Sequence, residues 1–455
     1  MAALHTQEAI ELSRQPNIQP DTQPDTELER QPEIETEAKK QTPVAKLLAA
    51  AFCFLVAGVN DGSLGALVPY LLRSYGLTPS SVGLIWGLSF IGWLIAALTG
   101  SWIRSSTGLG GALIAGAAAQ LLAHGLRFWT PPFVLFAITF IFAAVGQGYQ
   151  DAQANVFVSS LEGAHRWLGV IHASYSAGCL VGPLLASLIA THTSQWRFFY
   201  LVPGGLGVVN LALAWWAFRE DISISISWRT TPASEGREGK AWTEMKLTLQ
   251  CKVVWLLSLF YFFYLGVAVT VGGKPPSTPF KLHQPWINHV YTGWLVEYLV
   301  QERRGQLSRV GYVPTGYFGG IMLGRLLLAE PAHRLGEKPV ILVCCLCCLA
   351  LQVVFWQVNS IIADGVVVSV FGFLSGPFFA TGMSVASKLI PTKLHTAALG
   401  LIFVVAQAGG TVFPAATGAI ASKAGVGVLQ PLLVGLIVLM GLSWVLIPSV
   451  DRKRD

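Results

Sequence analysis

Carboxyl and amide side chains stand inside apolar runs at two places in this sequence. The run beginning near residue 47 contains GVNDGSLGALVPYL, which sets Asn60 and Asp61 far from either end. The run near 133–158 contains GQGYQDAQANVF and supplies Gln147, Tyr149, Gln150, Asp151, Gln153 and Asn155. An ionisable group at mid-helix in a membrane costs about 2.5–3.5 kcal/mol on insertion scales, so each marks a functional candidate. A carboxyl group so placed can bind and release a proton, because burial sets the cost of its charge. Asp61 and Asp151 are therefore candidates for proton coupling, with Asn60 beside the first for the solute; a static strut is the alternative. Gln147, Asp151 and Asn155 recur at four-residue steps and share a helix face. With Gln150 they offer donors and acceptors to a polar solute, or else form an interhelical hydrogen-bond seam. In the next run His172 and Tyr175 are three apart and could face the same cavity, although a lone histidine can equally be a satisfied packing residue.

The elements that must hold these groups follow from composition. The chain has 455 residues, mean hydropathy +0.57, 53% hydrophobic and 12% charged residues. Soluble domains carry about 25% charged residues, so half that fraction points to lipid as solvent. A helix needs roughly 20 apolar residues to cross a bilayer. Such runs lie near 47–72, 82–103, 110–128, 133–158, 167–191 and 198–218, then 253–273, 311–329, 339–357, 361–386, 397–421 and 427–448. The expectation is an all-α polytopic membrane protein of twelve helices in two six-helix halves, 46–218 and 253–449.

Residues 1–45 are rich in Gln, Glu, Asp, Pro and Thr and read as a disordered tail without a cleavable signal. Residues 219–252, containing TTPASEGREGK, read as a flexible linker between the halves, and 450–455 as a polar C-terminus. The segment 274–293, KPPSTPFKLHQPWINHVYTG, interrupts an apolar text that closes in frame without it. It is either an outer-loop insertion or a retained intron. With both termini in the cytoplasm, eighteen Lys and Arg fall on the inner side against nine on the outer, Arg127 among the nine. That is the sense of the positive-inside rule. The plasma membrane is the expected location and lipid the expected surroundings.

The halves also repeat. WLGVIHASYSAGCLVGPLLASLIA at 167–190 aligns without gaps to ALGLIFVVAQAGGTVFPAATGAIA at 398–421, with Gly178 and Pro183 facing identical residues 231 positions on. Duplication places a solute site centrally between the halves. Arg325, in GGIMLGRLLLAE, sits at the inner end of its run, where it can snorkel, and reads as a gating or loop-bracing residue. Trp86, Trp93, Trp215 and Trp216 read as interface anchors or packing. Cys344, Cys345, Cys347 and Cys348 have no His or carboxylate nearby and read as small hydrophobes rather than a metal site. No P-loop, HExxH or GxSxG is present, so neither ATP-driven transport nor an enzyme is supported, and no cofactor is expected. The net charge of +6 lies at helix ends rather than on one face, so nucleic-acid binding is not expected.

On GVNDGSLGALVPYL and GQGYQDAQANVF the sequence resembles the major facilitator superfamily, in particular the fucose-permease-like sugar:proton symporters and their fungal relatives. Asn60 and Asp61 match that branch's Asn-Asp pair, and Asp151, Ala154 and Asn155 match its acid followed by Ala and Asn, with Asp in place of Glu. The resemblance implies that these carboxylates bind proton and solute during alternating access, and it covers about Lys46 to Pro448. Arg104 stands where the family's loop between helices two and three carries an acid, while Gly324, Arg325, Gly336 and Glu337 keep closer to the pattern. Arg104 and Glu337 are thus further gating candidates. Ala268 replaces an acid common in helix seven, and Gly178-x-x-x-Gly182-Pro183 resembles a motif of antiporters. The expected function is proton-coupled movement of a small organic solute by a monomer. Proton-driven efflux of a secondary metabolite and a non-transporting receptor on the same scaffold are the alternatives.

Overall fold

Long apolar stretches without charged residues leave the backbone no partner but itself in lipid, and the chain answers with helices. The computed structural model describes residues 44–76, 80–193, 195–223, 242–272, 293–306, 310 and 313–449. Its helices are α1 (Val44–Tyr75), α2 (Ser80–Phe128), α3 (Phe133–Ser159), α4 (Ala164–Thr193), α5 (Leu201–Phe218), α6 (242–250), α7 (Lys252–Gly272) and α8 (Gly293–Gln301). They continue with α9 (Val313–Leu327), α10 (Ala329–Leu335), α11 (Glu337–Gln357), α12 (Ile361–Ser375), α13 (Pro377–Leu389), α14 (His395–Ala424) and α15 (Leu429–Leu446). Among the described residues, ten helical stretches are long and apolar enough to cross a bilayer.

Two features bring this to twelve segments. Gly108, at φ 77°, breaks α2 into two arms. The first arm runs alongside α3 in the same sense, with Gly92 at Ile141 and Arg104 on Gln153. The second runs the other way, with Leu113 at Gln150 and Arg127 at Thr139. The chain therefore reverses at Gly108, where a side chain would strain the backbone and meet Asp221. The other segment is α9, the C-terminal counterpart of the first arm. α12 and α13 form a single crossing, bent where Pro377 supplies no N–H.

Close glycine contacts show how the halves correspond. Gly178 of α4 lies on the backbone of α1 at Leu55 and Val59, and its repeat partner Gly409 lies on α7 at Phe262. Gly92 meets Ile141, and Gly320 meets Ser369, each partner 228 positions on. Between halves, Gly169 packs on Arg325 while Gly400 packs on Ala97. Small residues let helix backbones approach, and here they do so at equivalent points of a two-fold arrangement. Large apolar side chains such as Leu122, Leu188, Trp215, Trp216, Leu346 and Leu442 are exposed on the outside, as a lipid-facing surface requires.

The chain after α5 departs from the expected flexible linker at both of its ends. Asp221 pairs with Lys46 at 2.6 Å, and Ser223 N donates to the Thr107 carbonyl freed at the reversal. The stretch 219–223 is thereby fastened to α1 and α2. Residues 242–250 form a helix with Met245 and Thr248 buried and Trp242 and Leu247 exposed. The rest of that linker, the N-terminal stretch to residue 43, the C-terminal residues 450–455 and nearly all of the interrupting segment lie outside the described residues.

Candidate functional site

A cavity of about 240 Å³ lies between the halves and is walled by both. Asp61 reaches it from α1, near the flanking glycines Gly58 and Gly62, which seat α1 on α4 at Tyr175 and Cys179. Its carboxylate is held by three donors. Asn60 Nδ2 donates to Oδ1 at 3.0 Å; Gln147 Nε2 and the Tyr175 hydroxyl donate to Oδ2 at 2.7 and 2.9 Å. The structure thus brings three of the other sequence candidates, from three helices, onto the Asp61 carboxylate. Asp151 lines the same cavity from α3, and its Oδ1 is buried without a partner.

The other predicted residues divide. His172 lines the cavity, and its Nε2 lies 3.1 Å from Asn155 Oδ1. Asn155 Nδ2 donates to the Asp151 carbonyl, so it stands one residue behind the wall. Gln150 does not reach the cavity: it accepts from Gln120 and Asn210 and donates to the Leu113 carbonyl, tying α3 to α2 and α5. For this residue the hydrogen-bond seam is what the helix face turned out to serve. Trp86 and Trp93 line the cavity, whereas Trp215 and Trp216 face outward.

Arg325 does not snorkel. It is 5% exposed and turns inward, where Nη1 donates to the His172 carbonyl at 2.6 Å and to Ser176 Oγ at 2.5 Å on α4. Arg104 donates to Gln153 at 2.5 Å, and Glu337 accepts from Ser384 at 2.5 Å, so each braces a single half.

Two residues carry more than their sequence neighbourhood suggested. Arg127 falls at the end of an apolar run and counts in the sequence only among the outer-side charges, yet it is 1% exposed. Its Nη1 donates to Asn60 Oδ1 at 2.9 Å and its Nε to Thr139, while the guanidinium lies 3.7 Å from the Phe140 ring centre. It is the positive charge one amide behind Asp61. Glu330, on the short α10, accepts from His165 and Arg166 of α4 at 2.9 and 2.6 Å and from Arg334 at 2.6 Å. The His165 ring also stacks on His333 at 3.8 Å. Arg166, then His165 and Arg334, hold the Glu330 carboxyl well below the usual carboxylate range. The polar contacts described between the halves, those of Glu330 and Arg325, lie at one end of the cavity and close it there.

A family profile described as Major Facilitator Superfamily matches residues 50–414 and 288–455. "Bypass of stop codon protein 6" of Saccharomyces cerevisiae is 23% identical over 91% of this chain and 84% of its own length. The "Cis,cis-muconate transport protein" of Acinetobacter baylyi is 23% identical over 84% and 89%. Among solved structures, the human organic anion transporter MFSD10 (TETRAN) superposes with a TM-score of 0.68 at 14% identity, covering 89% of this chain and 100% of that one. FucP in its outward conformation gives 0.66 at 15% identity, covering 90% and 99%.

Proposed function

The chain belongs to the Major Facilitator Superfamily, and from that premise we propose that it couples a small organic solute to a proton by alternating access. It is a multi-pass membrane transporter; the coupling and the cargo are the proposal. The observation that carries it is Asp61, an acid in the wall of the central cavity held by Asn60, Gln147 and Tyr175, with Asp151 in the same cavity. A proton added to Asp61 removes the charge that all three donors serve, so protonation and the arrangement of α1, α3 and α4 are linked. Arg127 supports the charged form through Asn60.

The charge bias supports cytoplasmic termini, a closed cytoplasmic end and a cavity reached from outside. A monomer in the plasma membrane is the form proposed. Purified protein in vesicles should accumulate solute down an imposed proton gradient, and accumulation that survives a proton-gradient collapser would sink the coupling. Gly178, Gly182 and Pro183 favour a second reading, proton-driven export. The sign of the pH gradient that drives the solute inward distinguishes the two. The similar proteins named for a cargo are named for muconate, organic anions, fucose and iron, so their names alone leave its class open.

The internal repeat supports reading the interruption as an insertion. Leu55 on α1 corresponds to Phe262 on α7, 207 positions on, since each receives the repeated glycine of the fifth helix of its own half, Gly178 and Gly409. By Gly92 and Gly320 the spacing has grown to 228. The twenty-one extra positions fall between Phe262 and Gly320, one more than the length of 274–293. Sequenced transcripts should include a form lacking this stretch; transcripts that always carry it would leave an ordinary loop.

A further inference from the structure

We propose that the solute is an organic acid, its carboxylate taken by Arg325 and its flat apolar body held against Phe379 and Phe403. The inference rests on reading the central cavity as the solute site.

The polar groups that the N-terminal half presents to that cavity are mostly committed to each other. Both oxygens of Asp61 are occupied by Asn60, Gln147 and Tyr175, and His172 bonds to Asn155. Among the described lining side chains, the buried polar atoms left without a partner are Asp151 Oδ1 and Arg325 Nε. A sugar brings a hydroxyl on nearly every carbon, and each would be stripped of water against a wall whose carboxylate and amides on α1 and α3 are already paired. An acid needs one strong recognition point. A guanidinium supplies it, since its planar fork matches a carboxylate with two parallel N–H donors.

The remaining wall suits the rest of such a molecule. The Phe379 and Phe403 rings lie nearly parallel, 18° apart with centres 5.9 Å apart, and Trp93 meets Phe403 edge-on at 6.3 Å. Flat conjugated bodies gain from stacked and edge-on ring contacts beyond their buried area. The volume of about 240 Å³ lies below the range of about 300–1,000 Å³ typical of drug-sized ligands, so a compact acid fits and a large conjugate does not. Arg325 also holds α4 through His172 and Ser176. A carboxylate competing for that guanidinium would therefore weaken a contact between the halves as it binds.

The test uses the full chain in lipid nanodiscs, with tryptophan fluorescence as readout because Trp86 and Trp93 line the cavity. Benzoate, cinnamate and 2,4-hexadienoate are titrated beside their neutral amides and L-fucose. At least one acid should bind tenfold or more tightly than its amide, and Arg325→Gln should bring that ratio near one. Arg325→Lys, which keeps the charge but not the fork, should cut the ratio severalfold and serves if the Gln variant fails to fold. Glu330→Gln, which loosens the closed end without touching the cavity, should leave the ratio unchanged. Equal binding of all acids and amides, or a preference that survives in both Arg325 variants, overturns the inference. Proton-driven uptake of fucose with no acid preference would also overturn it while sparing proton-coupled transport. Acid preference without proton-driven uptake would do the reverse.

Discussion

The two halves present the central cavity with opposite chemistry on one scaffold. At the spacings their glycine contacts define, Asp61 corresponds to Ala268, Asp151 to Phe379, His172 to Phe403 and Tyr175 to Ala406. Every one of these side chains lines the cavity. The exchange runs the other way at one place, where Arg325 of the C-terminal half stands at the position of Ala97. Duplication thus preserved the residues that set helix against helix and released those that face the solute. Packing contacts are shared by both halves and tolerate little change, whereas a wall position has only the cargo to satisfy.

The comparison breaks first, and most completely, at Asp61. Asp61→Asn should reduce proton-driven uptake in vesicles to passive leak, with expression and monodispersity retained because Asn60, Gln147 and Tyr175 can bond an amide. Full activity would remove Asp61 from the mechanism. Adding Ala268→Asp to that variant asks whether the C-terminal half can host the same chemistry. No counterpart of Tyr175 exists there, since Ala406 takes its place, and uptake should not return. The new acid should instead destabilise the protein by about 2.5–3.5 kcal/mol, read as a lowered Tm.

The shared part of the scaffold predicts a matched pair. Gly178→Leu and Gly409→Leu each press a side chain on the backbone of a neighbouring helix. Each should lower stability by about 1–3 kcal/mol or more, and to a similar degree; a large inequality would undo the correspondence. The smallest effect is at Glu330. Its folded-state pKa is depressed, so the stability it adds is present above its ordinary value of about 4.3 and lost as pH falls through the lower folded value. Spin labels on α4 and α10 should report a closed end that persists below about pH 4 and opens under stronger acid. Glu330→Gln should open that end modestly at neutral pH and remove its acid dependence.

Much of this molecule was legible along the chain. Hydropathy alone marks the helices, and the rarity of acids inside apolar runs singles out Asp61 and Asp151. The gapless repeat at 167–190 and 398–421 gives the fifth helix of each half. Gln150 shows where one-dimensional reading ends: helix periodicity says which residues share a face but not whether that face meets a cavity or another helix. Arg127 counts along the chain only as an outer-side charge because it closes an apolar run, and its four-residue neighbourhood contains no carboxylate to suggest a partner. Its links to Asn60 and Thr139 come from other helices.

What the sequence determined by itself is what local chemistry controls: a lipid-soluble chain, helices where backbone groups must bond within their own segment, and costly acids kept within them. Only the tertiary structure decided which of those polar groups meet. It turned Arg325 inward rather than to the surface, joined Glu330 to residues more than 160 positions earlier, and gathered Asn60, Gln147 and Tyr175 on one carboxylate. Those outcomes depend on how glycine-lined helices seat against one another, a relation between distant segments that no single segment encodes.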